Sequence, residues 1–176
     1  MSALSVLYIV LPILVVSFCH ALEVVFTARR WASHHSASSD EAHQSLVNIL
    51  FRLSGMNMSA LVIAAVVGFL AVLLSTAALF AGGLWAELVW TTVFMAYSVC
   101  ALISIVRAVT LKGYVPGLVT SIISVPLIAY AAYSLSLVWP WWGMLLFAIL
   151  GLVLALANLY FAQRLGQRQT SKSTKN

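Results

Sequence analysis

The sequence predicts an all-α, polytopic integral membrane protein with five transmembrane helices, and three observations carry that expectation. Charged residues make up 7% of the chain and hydrophobic residues 63%, whereas a soluble domain carries about 25% charged residues because its surface faces water. Five apolar segments are long enough to cross a hydrocarbon core of about 30 Å, which takes about 20 residues at 1.5 Å each. With five spans, all nine Lys and Arg residues fall on one side.

The segments run from Leu4 to Ala28, Ser59 to Gly82, Leu84 to Val109, Val115 to Leu137, and Trp141 to Ala162. Hydrocarbon offers a backbone N–H or C=O no partner, so each must pair within its own segment, and each segment is expected to be a helix. The first has no Lys or Arg ahead of its apolar run, and it is too long for a signal peptide. It reads as a retained helix. Pro126, near the middle of the fourth, should kink that helix rather than break it. Cys19 and Cys100 fall in separate spans. Two isolated cysteines make neither a disulfide scaffold nor a zinc site, and they read as packing residues.

Orientation follows from the positive charges, which stay in the cytoplasm. Arg29, Arg30 and Arg52 follow the first span, Arg107 and Lys112 lie at the turn after the third, and Arg164, Arg168, Lys172 and Lys175 follow the fifth. The N-terminus is therefore expected outside and the C-terminus in the cytoplasm. Trp85, Trp90, Trp139, Trp141 and Trp142 gather at the two outer turns, as an interfacial belt would, and Trp31 marks the inner interface. The net charge of +5 is accounted for by this topology and by anionic lipid. It gives no case for nucleic acid, because no basic patch alternates with exposed stacking aromatics.

These readings divide the chain into a first transmembrane helix (1–28), a cytoplasmic loop (29–58), two transmembrane hairpins (59–109 and 110–163) and a basic, disordered cytoplasmic tail (164–176). Within the loop, a short amphipathic helix is expected, capped by Ser39 and stopped at Gly55. Ala60, Ala64 and Gly68 on the second helix, with Gly151 and Ala155 on the fifth, recur at four-residue spacing. Small residues at that spacing let backbones approach closely, so these five are expected at helix–helix contacts.

Three ionisable side chains fall within the spans and form the candidate polar site: His20 and Glu23 on the first helix, and Arg107 on the third. Groups of this kind are costly in hydrocarbon and are functional hypotheses by default. His20 and Glu23 share a helical face, which suits a proton or cation relay. The competing structural reading pairs Glu23 with Arg107 as a neutralised ion pair near the inner ends of their helices. No cofactor or metal is expected. A bis-histidine haem needs a second membrane histidine, and a di-iron bundle needs several more carboxylates. His34, His35, His43, Asp40 and Glu41 lie close together in the loop but lack ordered ligand spacing and read as solvated. Gly-rich phosphate loops, nucleophile elbows and zinc-protease helices are absent from the sequence.

Three functions fit this census. The first is a non-catalytic membrane component, either an accessory or assembly subunit or an immunity-type protein, that packs against a membrane-protein partner or its own copies. The second is a small oligomeric transporter or channel using His20 and Glu23. The third is a membrane enzyme acting on lipid or quinone, with His20 as base. The lipid bilayer is the common partner. A bacterial inner membrane fits the complete charge bias, and an organelle membrane is the alternative.

Overall fold

The structure is a computed structural model, and it describes residues 3–35, 58–110 and 112–173. Its described elements are all helical: α1 (Ala3–His35), α2 (Met58–Ala81), α3 (Leu84–Thr110), α4 (Leu118–Ser136) and α5 (Trp141–Ser173). Each contains a stretch long and apolar enough to cross a membrane, so five spans stand as expected. The expected amphipathic helix between Ser39 and Gly55 lies outside the described residues, as do His43, Asp40 and Glu41.

Helix ends differ from expectation in three places. The fourth helix begins at Leu118 rather than Val115, because Pro116 and Gly117 form a turn closed by the Leu118 N–H on the Val115 carbonyl at 3.0 Å. Gly117 there has φ of 87°, a left-handed conformation suited to glycine. The fifth helix continues to Ser173, through residues expected to be disordered. Lys, Arg and Gln favour helix, and Arg164 is tied one turn back, its Nε and Nη2 donating to the Tyr160 hydroxyl at 3.0 and 2.6 Å. The first helix likewise runs past Ala28 to His35, into the expected loop. Pro126 sits inside α4, and Pro12 sits inside α1.

The helices alternate in direction. α1 packs against α2 and α4, while α3 packs against α2, α4 and α5, and α2 also meets α5. The described cations Arg107, Lys112 and Arg164 share one end of the bundle with the α3–α4 turn. At the opposite end Trp85, Trp141 and Trp142 are exposed, as a belt would be, and Gly82 and Gly83 turn the chain with positive φ. Trp90 departs from the belt. It is buried and stacked on Phe94 at 5.4 Å, one and a half turns inside α3, where it fills the core with Ile9, Ile13, Val72 and Leu135.

The basic end is packed differently. There Ala60 and Ala64 of α2 meet Ala162 of α5, and small side chains bring the two backbones together. Ala155 is also buried. Gly151 makes the tightest approach to a neighbouring backbone, since a Cβ on it would lie 2.7 Å from the Ala96 nitrogen on α3. Gly68 departs from expectation. A Cβ there would meet only the Asn158 amide nitrogen at 3.7 Å, because Gly68 borders a cavity and not a neighbouring backbone.

Candidate functional site

α1 presents His20 and Glu23 on one face, and that face receives the start of α4. Glu23 accepts four hydrogen bonds, two on each oxygen. Oε1 takes the Tyr114 hydroxyl at 2.6 Å and the Val119 N–H at 3.2 Å. Oε2 takes the Thr120 N–H at 2.9 Å and the Thr120 hydroxyl at 2.6 Å. An ionised carboxylate offers about four lone-pair sites, so its capacity is filled.

The partners explain why the chain folds this way. Val119 and Thr120 are the second and third residues of α4, whose N–H groups ordinarily bond to an N-cap side chain. The N-cap here is Gly117, which has no side chain to offer. Glu23 supplies the missing cap from another helix, and its charge sits at the positive end of the α4 dipole. Tyr114 lies outside the spans in the preceding turn. Burial, and then its bond to Glu23, raise its phenol above the ordinary value, so it remains a protonated donor at neutral pH.

His20 is the second fastening. Its Nδ1 lies 3.0 Å from Thr120 Oγ1. That hydroxyl gives its shorter bond to Glu23, at 2.6 Å, and not to the Gly117 carbonyl at 3.2 Å. It therefore accepts from the imidazole, which assigns the proton to Nδ1 and leaves Nε2 an acceptor in the neutral ring. The ring lies edge-on to Tyr97, with centroids 6.1 Å apart. It also covers Gly117, where a Cβ would come within 2.5 Å of His20 Cε1. Glycine is required there twice over, by φ and by the imidazole.

Arg107 does not pair with Glu23. No ion pair joins them, and Arg107 has neither ion pair nor hydrogen bond among the described residues. α4 seats its N-terminus on α1, and two backbone N–H groups with two hydroxyls occupy the carboxylate. The expected pairing is thus replaced by a helix cap. Arg107 instead lines a cavity of about 170 Å3 between α1, α2, α3 and α5, together with His20, Tyr97 and Asn158. Asn158 reaches across to donate to the Ala64 carbonyl at 2.9 Å. Its Oδ1 and the Tyr97 hydroxyl are buried without a hydrogen-bond partner.

Several other span hydroxyls are spent locally, whereas Thr76 Oγ1 on α2 is buried without a partner. Thr92, Ser98 and Ser124 donate to the carbonyls of Leu88, Phe94 and Ser121 in their own helices. Among the described residues, no three His, Cys, Asp or Glu side chains converge as metal ligands would. Sequence reasoning missed Tyr114, Thr120, Gly117 and Tyr97. One signal was present: "VPGLVTS" starts a helix without Ser, Thr, Asp or Asn at its N-cap, so the cap had to come from elsewhere in the fold.

Comparison with curated proteins and with solved structures finds no match. Comparison with family profiles matches residues 10–131 to a family described as "Protein of unknown function with HXXEE motif". His20-Ala21-Leu22-Glu23 supplies the first four positions of that motif, and it is the sole H-x-x-E in the chain. Val24 stands at the fifth position, where the motif has its second glutamate. The valine is buried and lines the cavity beside Arg107. The match covers more than two thirds of the chain, from α1 into α4, and on that basis the protein belongs to the HXXEE family.

Proposed function

We propose that this protein is a non-catalytic component of its membrane, acting by helix packing with a membrane-protein partner as an accessory or assembly subunit or an immunity-type protein. One observation carries the reading: Glu23 commits all four acceptor sites to holding α4. A carboxylate so occupied is not free to serve as a base or to ligate a transported cation. The chemistry of the motif is spent on architecture, and its product is a fixed bundle. The outward faces of α4 and α5, with Ile122, Tyr133, Leu146 and Val153 exposed, are apolar enough for lipid or a partner helix.

Purification in a mild detergent with identification of co-purifying proteins tests this reading. A membrane protein in fixed stoichiometry is expected. A homogeneous homo-oligomer that carries proton or cation flux in liposomes would overturn it in favour of a transporter. The enzyme and relay readings draw on a different observation, the orientation of His20 by Thr120 with its ring against the cavity. They rank second because, among the described residues, no acid lines that cavity, and the lining Ser17 and Ser104 hydroxyls donate to the Leu14 and Cys100 carbonyls of their own helix.

The basic end is assigned to the cytoplasm of a bacterial inner membrane. In a chain with Cys19 and Cys100 replaced by alanine, Ser2→Cys and Gly83→Cys should react with an impermeant thiol reagent in intact cells. Ser171→Cys should not, and its labelling would reverse the orientation.

A further inference from the structure

We propose that the cavity between α1, α2, α3 and α5 binds an anionic amphiphile, a molecule with one carboxylate or phosphate group and an apolar tail, and that Arg107 is its counter-charge. The site does not depend on the protein having a partner.

The charge argument comes first. Arg107 is half-buried, lines the cavity, and has no ion-pair or hydrogen-bond partner among the described residues. A cation within a span is costly unless something compensates it. The motif shows what is missing here. Its second glutamate would fall at Val24, which is 3% exposed and lines the same cavity as Arg107. A glutamate there would bring a carboxylate into the cavity. With valine there, the described residues supply none to the cavity, and the negative charge falls to a ligand.

The size of the cavity points the same way. The volume, about 170 Å3, is many times the roughly 10–15 Å3 one water needs. It takes a headgroup and the first carbons of a tail.

The lining is graded along the helices. Arg107 lies one turn from the end of α3. Tyr97 is about 15 Å further along the same helix, at 1.5 Å per residue, and Val93 is about one turn beyond it. Phe69, Val72, Val93 and Leu154 make the deep part apolar. A charged end beside an apolar remainder matches a molecule whose acidic group meets Arg107 and whose tail lies along the apolar lining.

The test uses the full chain in a neutral maltoside detergent, with thermal unfolding followed in oleate, dioleoyl phosphatidic acid and oleyl alcohol. Oleate or phosphatidic acid should raise Tm and oleyl alcohol should not. Whichever acid acts distinguishes a free carboxylate from a lipid phosphate. Val24→Glu and Arg107→Gln should each weaken the acid's binding about ten-fold or more, since each removes the charge complementarity. No preference for an acid over the alcohol, or binding unchanged in both variants, would overturn the site. Should the variants fail to fold, photolabelling of the native chain with a diazirine fatty acid decides. Labels on Phe69 or Leu154 that oleate competes away support the site, and labels confined to outward residues such as Leu152 or Tyr160 overturn it.

Discussion

Glu23→Ala should destabilise the bundle by about 2–4 kcal/mol, read as a lower Tm in detergent. The substitution removes four acceptor contacts at once. Water can replace only part of them: Tyr114 and Val119 are exposed, but Thr120 is half-buried. The first turn of α4 also loses the anion at its dipole. Glu23→Gln should fall between alanine and wild type, because its amide keeps one acceptor while turning N–H donors toward other donors. Thr120→Val should cost less than Glu23→Ala, since both N–H bonds to the carboxylate survive. Tyr114→Phe should cost least. Its raised phenol makes the tyrosine's contribution complete below the ordinary value near 10 and lost as pH rises through the folded value. A Glu23→Ala protein that melts with wild type would show that the cap does not hold α4 in place.

The sequence conveyed number and type of helix because both depend on length and hydropathy, which are local. It conveyed neighbours poorly. Glu23 and Arg107 both lie near the basic ends of their helices, and matching depth suggested a pair. Depth along a helix does not say which helix stands closest, and α1 packs chiefly against α2 and α4. The same gap misplaced Trp90, whose sequence position near an outer turn says nothing of whether it points to lipid or inward. The His20–Glu23 pair was legible as a site because polar groups in an apolar run are conspicuous. Its role was not, since the Thr120 and Val119 N–H groups that define it lie about a hundred residues away. Val24 was invisible in a single sequence. A buried valine in a membrane helix is ordinary until a motif with glutamate at that position is set beside it.

Gly151→Leu and Gly68→Leu make the same chemical change on facing helices, and their effects should differ sharply. At Gly151 the first added carbon would lie 2.7 Å from both the Ala96 nitrogen and the Met95 Cβ, and 2.8 Å from the Met95 carbonyl carbon. Two of those atoms are helix backbone, which cannot rotate aside, so α3 and α5 must separate along their contact. Overpacking of this kind costs about 3 kcal/mol or more, and in a bilayer the lost close approach is the main force that held the pair. At Gly68 the nearest obstacle is the end of the Asn158 side chain at 3.7 Å, with the cavity beyond it. Leucine should enter that space at a cost below about 1 kcal/mol, offset by its better helix propensity. The pair therefore separates a packing glycine from a cavity glycine by Tm alone. Equal losses would mean that Gly68 also meets a backbone and that the cavity is narrower than described. A folded Gly68→Leu protein should also have lost affinity for the anionic amphiphile, because its new side chain occupies the same space.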